Sequence, residues 1–484
     1  MKERIRRLEE LARALEPNAE ERSRLRDKAI RYADAFLESL PQLRAFVATD
    51  DQGIGLLDSP ISEEPIDIDE ALRLLRTHVD RPGVNPGSPG YLAFIPVGGL
   101  YVSAIADYLA GVTNRYAGLF FASPGAVRME RMLLSWMAEF IGYPETTAGD
   151  LTSGGSIANL VGIVTAREAH NLKAKDYPKS VVYLSEQTHH SVEKALRIAG
   201  LGECLKRCVP LDQNYRMQAE ALEGAILSDK EAGLSPWLAV ASAGTTDAGA
   251  VDPLVEIADI AESHRVWLHV DGAYGAMFAL CEPGRRKLRG VERSDSIILD
   301  PHKGLFMPLG SGAVLVKDGR KLLQAHYYHA SYLQDQDILA SPDEISPAEL
   351  SPELTRPFRG LRLWLPLKLA GVAPFRAALE EKLVLARYFY EEIQRVDGFE
   401  VGPPPDLSIV TFRYIPRRGD ANEFNQKLVN AVQQDGRIFL SSTMVKGEFT
   451  LRLAVLGFRT HLDTIELAIE ILQEKARDLE ENEN

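Results

Sequence analysis

The chain has 484 residues, of which 45% are hydrophobic and 26% charged, and its formal net charge is −14 at pH 7. This composition argues against a disordered chain, and the negative charge argues against nucleic acid or an anionic membrane surface as the main partner. Cys204 and Cys208 have no second Cys/His pair at metal-binding spacing, and neither a signal peptide nor a membrane span is visible, so we expect no metal site and a cytoplasmic location.

The predicted elements divide the chain into three segments. Residues 1–85 are read as a mainly helical segment that ends in a run rich in Pro and Gly. Residues 86–375 alternate apolar strand-like runs with helices, which predicts a large domain built on a mostly parallel sheet. Residues 376–484 begin with a long helix and continue with strands near 408–414 and 449–455, which predicts a small α+β domain.

The first motif with chemistry is a glycine-rich turn that enters a predicted helix. Gly154, Gly155 and Ser156 precede the helical stretch 160–170. Because glycine lets backbone N–H groups approach an anion and a helix N-terminus adds partial positive charge, this turn is a candidate phosphate site. Plain helix capping is the alternative. The turn matches neither a dinucleotide fingerprint nor a Walker loop, which argues against those ligands.

Two adjacent histidines, His189 and His190, follow the strand-like run 181–184. A histidine at the end of a strand can stack on a ring, reach a substrate carboxylate or transfer a proton. A buried histidine bonded to backbone carbonyls is the alternative, and the sequence leaves open which of the two has the role. Thr246 follows the run 237–241 in the same way, where its hydroxyl can meet an oxygen of a bound ring.

Asp271 ends the strand-like run 266–270, and Ala273 follows it. An enzyme that uses pyridoxal 5′-phosphate (PLP) needs a carboxylate to keep the pyridine nitrogen protonated, and a small side chain fits against one face of the ring. A turn aspartate after a strand is the alternative, and it is common in α/β folds. The motif gains weight from the lysine that lies downstream.

Lys303 follows the strand-like run 296–299, in the segment Asp300-Pro301-His302-Lys303. A lysine that forms an imine with PLP must lose its proton near neutral pH, which desolvation or nearby positive charge favours. His302 is placed to contact the phosphate. An ordinary solvated lysine is the alternative. Since ligands of open α/β sheets bind beyond the carboxyl ends of the strands, the shared position of these motifs favours a PLP site.

Together these motifs resemble those of the PLP-dependent group II amino acid decarboxylases, which include aromatic-L-amino-acid and glutamate decarboxylases. The resemblance extends from about residue 80 through the C-terminal domain. It implies an α/β fold of the PLP-dependent transferase type I, which is aspartate aminotransferase-like. The matching segments are Thr152–Asn159, His189–Ala195, Gly244–Asp252, His269–Ala273 and Asp300–Lys303.

The resemblance implies a role for each cofactor residue. Lys303 is expected to form the imine, Asp271 to hold the pyridine nitrogen and His189 to stack on the ring. The other cofactor contacts are expected from Gly155, Ser156, Thr246, Ala273 and His302.

Substrate residues are implied in the same way. Tyr332 is expected to protonate the substrate carbon after carbon dioxide leaves, or a relay through His189 does so. Tyr91 and Phe94 match a segment that lines the substrate pocket, and Arg452 matches an arginine near the active site. The aromatic lining favours decarboxylation of an aromatic L-amino acid to its amine.

Other activities remain open. The first alternative is a glutamate or other acidic amino acid as substrate. An aldehyde synthase is another, but in the family that activity goes with loss of the tyrosine or the histidine, and Tyr332 and His189 are both present. An aminotransferase or an inactive scaffold of the same fold completes the list.

The family implies a homodimer with the active site at the interface and the N-terminal helices packed on the partner. Two departures from its pattern stand out. Gly304 replaces a tryptophan found in many members, which predicts open space near the phosphate. Asp300 replaces an asparagine found in some members, and a carboxylate beside a phosphate is unfavourable.

Overall fold

The computed structural model describes residues 1–95, 98–328 and 344–482. The N-terminal elements are α1 (Lys2–Ala12), α2 (Ala19–Ser39), β1 (Phe46–Val47), α3 (Ile68–Leu74) and β2 (Gly83–Val84). Helix α2 begins where the Asn18 side chain accepts a hydrogen bond from the Glu21 amide at 2.9 Å, which satisfies an N–H that has no partner inside the helix. No residue of α1 or α2 is buried, so their apolar side chains stay at least partly exposed in the single chain.

A seven-stranded sheet forms the centre of the described part of the chain, after α4 (Tyr101–Thr113) and α5 (Pro124–Ile141). Its strands are β3 (Ala148–Thr152), β4 (Ser180–Ser185), β5 (Leu205–Val209), β6 (Ser235–Ser242), β7 (Trp267–Asp271), β8 (Ser296–Leu299) and β9 (Gly312–Val316).

The spatial order of this sheet is β3-β9-β8-β7-β6-β4-β5. Strand β9 is antiparallel to both of its neighbours, and the other adjacent pairs are parallel. Every residue of β4, β7, β8 and β9 is buried, as expected for strands covered by helices on both faces. The prediction of a mostly parallel sheet is therefore confirmed.

Helices follow most strands of the sheet and cover it. They are α6 (Gly155–Ala169), α7 (His190–Ile198), α8 (Ala219–Glu231), α9 (Leu254–His264), α10 (Glu282–Lys287), α11 (Pro301–Gly304), α12 (Gly319–His326) and α13 (Gly360–Ala370). Within the ranges given above, none of the helices is both long enough and apolar enough to cross a bilayer.

The C-terminal part is an α+β unit with its own hydrophobic core, as predicted. Its elements are α14 (Ala373–Ile393), β10 (Phe399–Val401), β11 (Ile409–Tyr414), α15 (Ala421–Asp435), β12 (Ser441–Val445), β13 (Glu448–Ala454) and α16 (Leu462–Asn482). The four strands form an antiparallel sheet with the order β10-β11-β13-β12. The predicted boundary at residue 375 lies inside α14, so the division into three segments stays a prediction.

Candidate active site

A cavity of about 380 Å³ lies at the carboxyl ends of the parallel strands and at the N-terminus of α6. Its volume is within the range of small-molecule and cofactor sites. The eight residues predicted to hold the cofactor all line it: Gly155, Ser156, His189, Thr246, Asp271, Ala273, His302 and Lys303.

Lys303 lies on α11, directly after β8, and its side chain is one-fifth exposed. The Nζ atom is 2.9 Å from Oδ2 of Asp300, whose own side chain is buried. His302 donates from Nδ1 to the Ser311 carbonyl at 2.6 Å, because a carbonyl oxygen only accepts. Burial lowers the pKa of His302, so the ring is neutral and its Nε2 is an acceptor. A phosphate contact from this nitrogen therefore requires the ring to gain a proton.

Asp271 is the last residue of β7, and both of its carboxylate oxygens are held. Oδ1 accepts a hydrogen bond from the Ala273 amide at 3.1 Å, and Oδ2 accepts one from Asn159 Nδ2 at 3.1 Å. These two hydrogen bonds fix the orientation of the Asp271 carboxylate, which lines the cavity. Asn159 belongs to a motif that the sequence singled out, but its role as a partner of Asp271 was not predicted.

His189 caps the N-terminus of α7, where its Nδ1 accepts the Ser191 amide at 3.2 Å and lies 2.7 Å from Ser191 Oγ. Burial lowers the pKa of His189, so the ring is neutral at pH 7. His190 is exposed, and the two rings are 4.1 Å apart with an interplanar angle of 42°. Of the two adjacent histidines, His189 lines the cavity.

Arg452 lies behind the cavity wall and holds the loop that carries Thr246. Its guanidinium donates to the carbonyl oxygens of Thr246 and Asp247, the latter at 2.6 Å, and to Ser441 Oγ at 2.7 Å. Burial lowers the pKa of Arg452. These hydrogen bonds fix the position of Thr246, and the predicted contact of Arg452 with substrate stays a prediction.

Tyr91 and Phe94 belong to an aromatic cluster with Phe439 and do not line the cavity. Tyr91 is buried, its ring stacks on Phe439 with centroids 6.3 Å apart, and burial raises the pKa of Tyr91 to about 12. Phe94 is half exposed at the edge of this cluster. Tyr332 lies outside the described residues.

The open space expected at Gly304 is not present. A Cβ atom at this position would lie 2.4 Å from Met277 Cβ, so Met277 already fills the volume next to the backbone. The prediction was wrong because the glycine accommodates a neighbouring side chain from the adjacent segment rather than a ligand.

Residues 52–415 match the model of the pyridoxal-dependent decarboxylase conserved domain. The chain belongs to this family. Aromatic-L-amino-acid decarboxylase of Bacillus atrophaeus is 37% identical over 408 residues, 84% of each chain, and phenylacetaldehyde synthase of Petunia hybrida is 30% identical over 438 residues, 86% of each. The crystal structure of Catharanthus roseus tryptophan decarboxylase in complex with L-tryptophan has a TM-score of 0.88 and 25% identity, covering 96% of this chain and 99% of that one.

The predicted family, the type I fold and the assignment as a PLP-dependent amino acid decarboxylase are confirmed by these similarities. The cavity also fits the family's cofactor on its own geometry. A Cβ atom at Gly155 would lie 3.0 Å from Asp300 Oδ2 and 3.3 Å from Ala273 Cβ, so the glycine keeps the N-terminus of α6 open. A helix N-terminus is suited to bind a phosphate, and the fixed Asp271 carboxylate is suited to a ring nitrogen.

Proposed function

We propose that this decarboxylase converts an aromatic L-amino acid to its amine and carbon dioxide. One observation carries the proposal: a single cavity is lined by Lys303, Asp271 and His189, each at the end of a different parallel strand. The aromatic substrate is supported by the similarity to aromatic-L-amino-acid decarboxylase. Bound PLP supplies a protonated pyridine ring that accepts the electrons of the breaking bond between Cα and the carboxylate.

The side chains divide the remaining work. Lys303 would supply the amine that attaches PLP, and the Asp300 carboxylate, 2.9 Å away, holds its Nζ atom in place. Asp271 would keep a proton on the ring nitrogen, and its two hydrogen bonds hold the carboxylate in position for that task. Gly155 and Ser156 would receive the phosphate at the helix N-terminus. Ala273 would pack against one ring face.

His189 is proposed to face the substrate carboxylate and the reacting carbon. Its Nδ1 is occupied by Ser191, so Nε2 carries the ring hydrogen and is the nitrogen available to substrate. Tyr332 is proposed as the acid that protonates the substrate carbon, directly or through His189. Thr246, held by Arg452, is proposed to meet the ring oxygen of PLP.

An aldehyde synthase is the second candidate, because phenylacetaldehyde synthase is among the relatives. The presence of both His189 and Tyr332 favours the decarboxylase. The two reactions are separated by assaying the PLP-loaded protein with a panel of aromatic and acidic amino acids for carbon dioxide, amine, aldehyde and peroxide. Amine without peroxide from an aromatic substrate supports the proposal. Aldehyde with peroxide, turnover of acidic substrates alone, or exchange with a keto acid would each replace it.

A cytoplasmic homodimer is also proposed. Helix α1 has no buried residue, and its apolar residues Leu8 and Leu11 are 55% and 68% exposed, which supports packing on a partner subunit. The cysteines of the described part are all free, which fits a reducing compartment. Light scattering of the purified protein tests the dimer, and removal of residues 1–40 should convert the dimer to a monomer with low activity. Cell fractionation tests the location.

A further inference from the structure

One buried chain of hydrogen bonds joins Asp271 to His189, although the two residues lie on different elements. Asn159 on α6 is the branch point: its Nδ2 lies 3.1 Å from Asp271 Oδ2 and 2.9 Å from Ser191 Oγ. Ser191 Oγ lies 2.7 Å from His189 Nδ1. On its other side, Asn159 Oδ1 lies 2.9 Å from His269 Nε2.

The chain continues away from the cavity into the core of the sheet. His269 Nδ1 lies 2.7 Å from Ser296 Oγ, which in turn accepts from Trp267 Nε1 at 2.8 Å. Asn159, His269 and Ser296 are completely buried, and Trp267 is 3% exposed. Since water does not reach these groups, each depends on its neighbours in the chain for its hydrogen bonds.

The donor at Trp267 and the acceptor at Asp271 fix the direction of the hydrogens between these two residues. An indole N–H only donates, and a carboxylate only accepts. Trp267 therefore donates to Ser296, and the amide group that faces Asp271 is the NH₂ of Asn159, which leaves Asn159 Oδ1 to accept from His269 Nε2.

The His269 ring is neutral at pH 7, because burial lowers the pKa of His269 to about 4. With its hydrogen on Nε2, the ring accepts from the Ser296 hydroxyl at Nδ1. At the branch, the second hydrogen of Asn159 Nδ2 goes to Ser191 Oγ. The Ser191 amide donates to His189 Nδ1 at 3.2 Å, so this nitrogen carries no hydrogen and also accepts from the Ser191 hydroxyl.

We propose that Asn159, His269 and Ser296 are positioning residues of the decarboxylase site. They orient the Asp271 carboxylate and, through Ser191 Oγ, hold in place the His189 ring, whose Nδ1 also accepts from the Ser191 amide. The inference deepens the proposed function and rests on it, because it states what prepares both the ring-nitrogen carboxylate and the stacking histidine before substrate binds. Asn159 thereby links Asp271, which is proposed to hold the ring nitrogen, to His189, which is proposed to face the substrate.

The packing around His269 leaves a space that fits its imidazole ring. A Cβ atom at Gly162, in the middle of α6, would lie 2.6 Å from His269 Cε1 and 3.0 Å from Nδ1. Glycine is unfavourable inside a helix, yet here it makes the room that the imidazole needs. Gly224 in α8 is a matched control, because a Cβ atom there meets no other atom within 4 Å.

The direct test is ¹⁵N NMR of the PLP-loaded protein labelled at histidine. We expect His189 and His269 to be neutral at pH 7 with the hydrogen on Nε2 in both, with signals assigned by their loss in His189→Gln and His269→Gln. A hydrogen on Nδ1 of either ring would overturn the proposed order. Because the spectrum needs no turnover, this result stands apart from the amino acid panel that tests the proposed function.

The second test compares Gly162→Ala with Gly224→Ala. The added methyl at position 162 displaces the His269 ring, so we expect kcat to fall about tenfold or more, KM to change less than about twofold, and the NMR signals of His189 and His269 to move. Gly224→Ala should leave all three measurements unchanged. If the His269 signals move in Gly162→Ala while those of His189 and the value of kcat stay at wild-type level, the chain does not position the site.

Discussion

Lys303 Nζ lies 2.9 Å from Asp300 Oδ2, and the Asp300 side chain is only 2% exposed. The amine proposed to attach PLP is therefore held by a buried carboxylate three residues earlier in the chain. The same Oδ2 would lie 3.0 Å from a Cβ atom at Gly155, so the ion pair also borders the glycine turn proposed to receive the phosphate. Asp300 thus borders both proposed features of the cavity, the lysine that attaches PLP and the glycine turn that receives the phosphate.

Replacing the lysine tests the attachment. Lys303→Ala is expected to abolish turnover and to leave PLP bound without a covalent bond. Wild-type protein should show an absorbance band near ~420 nm. After reduction with borohydride, denaturation should not release its PLP. The variant should release all of its PLP after the same treatment. PLP that stays attached to the Lys303→Ala protein would assign the attachment to another lysine.

Asp300→Asn is expected to bind PLP about tenfold more tightly than the wild type. The buried carboxylate borders the glycine turn proposed to receive the phosphate, so it faces the phosphate as a like charge, which an amide does not. Titration with PLP, followed by absorbance, measures the dissociation constant. Weaker binding by the variant would mean that Asp300 mainly holds Lys303 in place.

The strands of the site could be predicted from the sequence because their signal is local. Four apolar runs, each followed by a polar motif, place Lys303, Asp271 and His189 at one edge of a sheet as soon as the sheet is taken to be parallel. The eight predicted cofactor residues line one cavity for this reason. Which atoms face one another is not local information, so the bond between Asn159 and Asp271, 112 positions apart, was not predicted.

The predicted substrate residues also show that non-local contacts could not be predicted from the sequence. Tyr91 and Phe94 are aromatic residues in a segment that resembles a pocket lining, but pairing of Tyr91 with Phe439 carries them into a separate cluster. Arg452 lies on β13 and is paired with Thr411 of β11 in the sheet register. Its hydrogen bonds to the Thr246 loop depend on how the C-terminal sheet packs against that loop. Such contacts depend on how the two hydrophobic cores pack against each other. Neither hydrophobic periodicity nor motif spacing in the sequence predicts that packing.

Arg452→Met is expected to destabilise the fold and to weaken PLP binding through the Thr246 loop. The carbonyls of Thr246 and Asp247 and the Ser441 hydroxyl would lose their donor, at a cost of about 2–4 kcal/mol in the free energy of unfolding. Urea denaturation and PLP titration measure the two effects. Arg452→Lys keeps the charge but not the planar set of donors, so it should restore only part of either. A raised KM with unchanged PLP affinity and stability would instead support direct contact of Arg452 with substrate.

His269→Gln is expected to make the free energy of unfolding less dependent on pH between about 6.5 and about 4. Burial lowers the pKa of His269 to about 4 in the folded protein, so the unfolded chain binds a proton in this range that the folded chain does not. The stability contributed by the neutral ring is therefore complete above pH ~6.5 and is lost as the pH falls, by about 3 kcal/mol in total. Glutamine offers a similar N–H to Asn159 without titrating.

The difference between the two proteins is the quantity to measure, by urea denaturation at a series of pH values. Burial raises the pKa of Glu130 to about 7 and that of Asp252 to about 6. These carboxyl groups are neutral when folded at low pH, so their contribution is lost as the pH rises, opposite in sign to that of His269. Both proteins carry them, and they cancel in the difference. A difference that stays constant from pH 6.5 to 4 would show that the His269 ring is not kept neutral by the fold.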